Sequence, residues 1–378
     1  MPTGTTWPAE IKEYKDHITG ARVKRLTTGD AHNHHLYFTA TSYTKDGHIV
    51  FGSERTGRPQ LFMMEMPGGR IIQLTDEPAV HPITSCIHPT RDLAYYISGQ
   101  TITRVDLRSF ATEVLYTAPE GFHLTLPSIT ADGSRIAIAY SERLPLSTET
   151  GQIYSTMVES YYRHPASCVV TIETADGAAN VIWGERAWIS HVCINPLDRD
   201  CIVFCHEGGS WVKQRMWVVN ASQKYKEARP LMVQRPGEVA YHEYFTRDGQ
   251  IGVQLKAQRG NSMEFFHCFI RPDGSWLRQY MLPGECAGHI QSNADNSLRI
   301  ADRGQRFMGD REGDSMMALY RLNGGQDIPT WLCEHGGNFS LQIAHPHPIF
   351  SQDDKWVLYT SNKGGVCQVY TAEVAGHI

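Results

Sequence analysis

Residues 354–374 read DKWVLYTSNKGGVCQVYTAEV, and residues 46–66 read DGHIVFGSERTGRPQLFMMEM. Laid side by side without gaps, Asp46 meets Asp354, Phe51 meets Tyr359 and Ser53 meets Ser361. Further on, Gly57 meets Gly365, Gln60 meets Gln368 and Phe62 meets Tyr370. Each stretch is a turn, an alternating strand, a polar turn with glycine and a second alternating strand, which is the signature of a β-hairpin. Related starts occur at HPTRDLAYYIS (88–98), TADGSRIAIAYSE (130–142), NPLDRDCIVFCHE (195–207), TRDGQIGVQLKAQ (246–258) and SNADNSLRIADRG (292–304). That makes seven units at a spacing of roughly 50 residues, the period of β-propeller blades. A four-stranded sheet has two apolar faces and cannot bury both alone; sheets stacked in a ring can. GARVKRLT (20–27) matches GGRIIQLT (68–75), which ends the first complete unit. The N-terminal segment is therefore expected to supply an outer strand to the last sheet. The expected fold is an all-β, seven-bladed β-propeller, one domain over 1–378, closed by an N-terminal strand (about 20–27) joining the last blade. Residues 141–165 read as an insertion.

Composition removes several classes of function. Apolar residues make up 41% of the 378 and aromatics 10%, enough for a large core. With 20% charged residues and a net charge of -5, no basic face for nucleic acid is expected. No window approaches the ~18 apolar residues of a membrane span. MPTGTTWPAEIKEYKDH, at the start, lacks the basic-then-apolar pattern of a secretory signal, so a cytoplasmic protein is expected. Nine cysteines have no framework-like spacing, and Cys193, Cys201, Cys205, Cys268 and Cys367 sit in apolar runs as expected reduced core residues. Cys201 and Cys205, followed by His206, suggest zinc at first sight. On one strand, however, residues four apart lie ~13 Å apart, too far to share an ion.

Histidine is the outlying residue: 18 of them, including the clusters His32, His34, His35 and His345, His347. In QIAHPHP (342–348) two imidazoles two residues apart face the same way if the chain is extended, and Gln342 joins them if it bends. The prolines stiffen the segment. Two imidazoles and an amide oxygen suit Mn²⁺, Fe²⁺, Ni²⁺ or Zn²⁺; a turn bearing two exposed histidines would have the same spacing. YHEYF (241–245) puts His242 among aromatics before a unit start, where it can be a general base or a histidine satisfied by backbone. In HEGGSW…QRMW (206–217), Arg215 offers a planar fork for a carboxylate, or a surface ion pair. GHIQSN (288–293) places His289 as His242 and His345 are placed, just before a blade. There is no Gly-x-Ser-x-Gly elbow and no phosphate-cradling glycine loop.

HEGG…QRMW, YHEYF, GHIQSN and above all QIAHPHPIFSQDDKWVLYTS (342–361), in this order, resemble the oligogalacturonate lyases, a polysaccharide lyase family with a seven-bladed propeller. The resemblance runs from about residue 20 to 375 and is densest over 190–362. It implies a Mn²⁺ site (other divalent transition metals being possible) built from His289, Gln342, His345 and His347, with His242 as Brønsted base and Arg215 as catalytic arginine. It further implies β-elimination on short uronate oligosaccharides in pectin breakdown, such as oligogalacturonate and unsaturated digalacturonate. The expected partner is thus an acidic oligosaccharide, taken by a monomer or a homodimer, with no nucleic acid and no membrane. His191, His206, Glu207 and Tyr244 are expected at the substrate. GGSW (208–211), the N-terminal HNHHLYF (32–38) and residues 141–165 depart from the family pattern, and Arg143, Tyr161, Tyr162 or Arg163 are candidates for added contacts. The alternatives are a non-enzymatic TolB-like binding propeller and a lyase of this architecture acting on another uronate-containing polysaccharide.

Overall fold

The alternating segments form seven antiparallel sheets of four or five strands. The structure is a computed structural model that describes residues 1–148, 155–282, 288–302, 315–323 and 326–374. In sequence order, the innermost strands of the seven blades are Asn33–His35, Val80–Ile87, Phe122–Leu124 with Ser128–Ile129, Val192–Ile194, Glu238–Phe245, Ile290–Ser292 and Ile349–Phe350. Each blade then steps outward by hairpins, as in the fifth: Glu238–Phe245, Ile251–Arg259, Ser262–Ile270, Trp276–Leu282. The seven-bladed, nearly all-β expectation is met.

The seventh sheet shows how the ring closes. Its order is Lys12–Lys15, Arg22–Arg25, Gln368–Glu373, Trp356–Ser361, Ile349–Phe350, so the N-terminal segment supplies the outer strands of the last blade. The likeness of GARVKRLT to GGRIIQLT has a hydrogen-bond basis. In the first blade Thr75 Oγ1 donates to Gln60 Oε1 at 2.7 Å and accepts from the Leu61 N–H at 2.9 Å. In the seventh, Thr27 Oγ1 donates to Gln368 Oε1 at 2.7 Å and accepts from the Val369 N–H at 2.9 Å. Both glutamines stand at the start of a strand paired across a hairpin with a serine, Ser53↔Gln60 and Ser361↔Gln368.

The core lies between blades. Leu36, Val50 and Leu61 of the first pack on Val80, Ala94 and Tyr96 of the second, and Leu298, Ile300 and Leu319 of the sixth pack on Val357 and Tyr359 of the seventh. Leu26, fully buried just past the closing strand, joins a cluster with Phe51, Tyr320 and Leu358. Leu26→Ala is expected to destabilise the ring by about 2–5 kcal/mol, as a buried large-to-small change does. Chemical denaturation reads this directly; an unmoved midpoint would show that the closure adds nothing.

All eight described cysteines are unpaired. Cys201 and Cys205 are buried in one strand, where burial pushes their thiols up to about 11 and about 12, so neither offers a thiolate to zinc. Within the stretch expected as an insertion, a short helix, Met157–Arg163, connects two strands of the third blade; residues 149–154 of that stretch lie outside the described residues. No helix among the described residues is long and apolar enough to cross a membrane.

Candidate active site

Three imidazoles converge at one end of the central channel. His289 precedes the inner strand of the sixth blade, and His345 and His347 precede that of the seventh. One ligand nitrogen from each lies within 4.8 Å of the other two, close to the span of donors around one ion bonded at ~2 Å. The route to convergence differs from a plain extended segment. His345 is extended, as a residue before proline tends to be, but His347 has φ 47°, in the left-handed region. The turn between them still leaves the rings 5.4 Å apart, centroid to centroid. All three are buried. Burial holds His289 down to about 3 and His345 to about 4, and lowers His347 strongly, so each ring is neutral and can ligate. His347 Nε2 is a buried nitrogen with no hydrogen-bond partner among the described residues. An orphaned imidazole nitrogen facing two neutral imidazoles fits a divalent transition metal. Gln342 begins the one-turn 3₁₀ helix Gln342–Ala344 and lines the same cleft as His289.

Behind the imidazoles stands Asp302, which sequence reading missed. Its fully buried carboxylate accepts the His289 N–H at 2.5 Å, His289 Nδ1–H at 2.9 Å and the His347 N–H at 3.2 Å. The bond to Nδ1 fixes the tautomer and leaves His289 Nε2 for a metal. Gly288 has to be glycine here, because a Cβ would meet Asp302 Oδ1 at 2.0 Å.

The Gly288 carbonyl also governs His242. It accepts a 2.8 Å hydrogen bond from His242 Nδ1. A carbonyl only accepts, so Nδ1 carries the proton and Nε2 keeps the lone pair. His242 is not in the loop before the blade, as expected, but inside Glu238–Phe245, at a bulge. Tyr241 pairs with Gln254 and Tyr244 with Gly252, so two residues, His242 and Glu243, oppose one. His242 takes φ 53° there. Burial, and with it the nearby Arg215 charge, holds it well below the ordinary histidine range, so it is a neutral base at pH 7. Its ring lies 4.3 Å from that of His289.

Arg215, in the fourth blade, is buried and already engaged. Its Nε and one Nη donate to Glu243 at 2.9 and 3.3 Å, and the other Nη donates to Glu207 at 2.9 Å. Despite burial, the guanidinium holds Glu207 at about 2 and lowers Glu243, so both carboxylates are ionised. His191, Cys205 and Glu243 also come close enough to suggest a metal set. Arg215 occupies both Glu243 oxygens, and burial pushes Cys205 up to about 12, so that set does not suit an ion.

Arg215, His242 and His289 face a cleft of about 650 Å³ lined also by Tyr37, His191 and Glu207, among others. Two residues expected at the substrate lie elsewhere. His206 is bonded to Glu185 at 2.9 Å and packs on Trp217. Tyr244 is 2% exposed, donates to Ser292 at 3.1 Å and lines a separate cavity further down the channel. The bulge explains Tyr244: residues two apart share a face only on a regular strand. His35, in the HNHHLYF segment that departs from the family pattern, is buried beside the metal set. Its Nε2 is 2.9 Å from the Pro346 carbonyl and its ring 6.5 Å from His347. Tyr37 and Phe38 of the same segment pack on His347 and His289. Two other departures are one feature: Tyr161 of the short helix fills the space where a Cβ on Gly208 would lie, at 2.6 Å, and Tyr162 meets Trp211. Met157 and Ser210 from this pair edge the cleft. Arg143 and Arg163 turn to backbone carbonyls of Phe122 and Pro145.

The family model for oligogalacturonate lyase matches residues 1–378. An oligogalacturonate lyase of Dickeya dadantii is 26% identical over 99% of this chain and 98% of its own length. An oligogalacturonide lyase of Pectobacterium atrosepticum is 25% identical with the same coverage. A solved oligogalacturonate lyase in complex with manganese superposes with a TM-score of 0.87 at 26% identity, covering 100% of this chain and 99% of that one. A second, from Vibrio parahaemolyticus, shares the fold with a TM-score of 0.88 at 23% identity, each chain fully covered. Matched from end to end, this chain belongs to the oligogalacturonate lyase family.

Proposed function

We propose that this chain is a metal-dependent lyase that cleaves short galacturonate oligomers by β-elimination, with His289, His345, His347 and Gln342 as metal ligands, His242 as base and Arg215 beside the substrate carboxylate. The observation that carries it is one backbone unit, Gly288-His289, that joins the two halves of the chemistry: Asp302 orients His289 on one side and the Gly288 carbonyl orients His242 on the other. Family membership and the manganese complex of a relative support the same reading. A bound divalent ion supplies positive charge at the uronate carboxylate, whose negative charge grows as C5 loses its proton. His242 Nε2 takes that proton. The C5–H electron pair becomes the C4=C5 double bond, and the C4–O pair departs on the glycosidic oxygen, which takes a proton from water to become the hydroxyl of the released unit. Arg215 is held rigid by two carboxylates and acts through directed N–H groups more than through net charge. Tyr37 and Phe38 pack the imidazoles and exclude water.

The test is absorbance of the 4,5-unsaturated product from oligogalacturonate, with manganese and with chelator. No product from any uronide by metal-loaded protein would refute it. Asp302→Asn is expected to weaken metal affinity by roughly 10–100-fold, the usual effect of losing a carboxylate behind a ligating histidine; chelator competition measures this. We also place the protein in the cytoplasm, acting on short oligomers derived from pectin; eight unpaired described thiols are in keeping with a reducing compartment.

A further inference from the structure

The charge of the cleft is unevenly spent. Arg215 faces two ionised carboxylates, so the Arg215–Glu207–Glu243 group carries one net negative charge. A metal ion and His242 serve the uronate unit that loses its proton. Each neighbouring unit of the substrate brings another carboxylate, and a net-negative wall repels it. Among the described residues, one further lysine or arginine lines the cleft, Lys256. The chain has 10 lysines, so a lysine here is not simply the common surface residue.

Lys256 lies in Ile251–Arg259, opposite Val239 in the inner strand that carries His242 three residues on. It is half-buried and makes no ion pair among the described residues, whereas Arg259 of the same strand pairs with Glu238 at 2.8 Å. A half-buried ammonium without a counter-charge, on the wall of a cleft for an anionic chain, lacks a carboxylate that the substrate can bring. We infer that Lys256 receives the carboxylate of the uronate unit next to the one that is deprotonated, and so selects an acidic neighbour over a neutral or esterified one. This rests on the proposed lyase reading.

The experiment compares Lys256→Met and Lys256→Arg with the parent chain, manganese-loaded, on digalacturonate and on digalacturonate methyl-esterified at the unit that keeps its C5 proton. Binding is read separately by calorimetry with trigalacturonate in the His242→Asn background, with and without Lys256→Met. Lys256→Met is expected to raise KM for digalacturonate by roughly 10–100-fold with kcat little changed, in the range of a hydrogen bond to a charged group. Esterification should cost the parent chain a similar factor and cost Lys256→Met almost nothing, while Lys256→Arg recovers most of the affinity. Equal KM and equal trigalacturonate affinity with and without the lysine overturn the inference, as does an ester penalty that persists in Lys256→Met. If the parent chain binds trigalacturonate through Lys256 but releases no unsaturated product, the lyase reading falls and the subsite stands. If it neither binds nor cleaves galacturonides, both fall.

Discussion

His347→Gly, which suits the left-handed φ of 47° held there, is expected to remove the bound metal and to lower kcat/KM on oligogalacturonate by roughly 10³-fold or more. The size follows from the several kcal/mol that a Lewis-acid cation contributes to a developing charge, at 1.36 kcal/mol per decade of rate. His347 is the sharpest choice among the ligands, because its buried Nε2 has no partner among the described residues. Removing the ring therefore strands no protein partner of that nitrogen, and the unfolding curve separates loss of metal from the lost packing on Tyr37. Its backbone N–H still reaches Asp302 in the variant, keeping the seventh blade tied to the sixth. Metal content by elemental analysis, the elimination rate and a thermal unfolding curve are measured together. The chelated parent chain should match the variant in rate. A variant that keeps both a full metal equivalent and the parental rate would remove His347 from the ligand set.

The fold was legible because every blade repeats local chemistry: a turn, alternation, a polar hairpin, alternation. Even ring closure was written twice, in Thr75 with Gln60 and in Thr27 with Gln368. The imidazoles were legible for a related reason. His289, His345 and His347 stand just ahead of inner strands, and inner strands meet at the axis whatever the loops do. What stayed hidden depends on register. Asp302 reads as an ordinary strand residue in SLRIAD, and only the pairing of Ile290 with Ala301 brings it against His289. Glu243 and Tyr244 exchanged the importance their neighbours suggested, because an unsignalled bulge turned Glu243 toward Arg215 and Tyr244 away from the cleft. Arg215 was legible as a carboxylate partner, but not that the protein supplies two of those carboxylates itself.

His242→Asn is expected to lower kcat by roughly 10²–10⁴-fold, the usual contribution of a positioned general base, with metal content unchanged. Asparagine is the appropriate replacement on two physical grounds. It tolerates the left-handed conformation that His242 holds at φ 53°, where alanine would be strained. Its side-chain amide can also donate to the Gly288 carbonyl as Nδ1–H does now, so the backbone between base and metal keeps its partner. What it lacks is a basic nitrogen where Nε2 stands. The pH profile gives a second reading. Burial and the Arg215 charge lower the histidine, so protonation sets in below pH 6.5 and the acid limb of kcat/KM for the parent chain falls below that value. A bound divalent cation near the ring moves it further in the same direction. In His242→Asn that limb disappears, and substrate deuterated at C5 should show its primary isotope effect in whatever activity remains. A variant that keeps kcat within a few-fold of the parent, or keeps the same acid limb, would move the proton abstraction to another group.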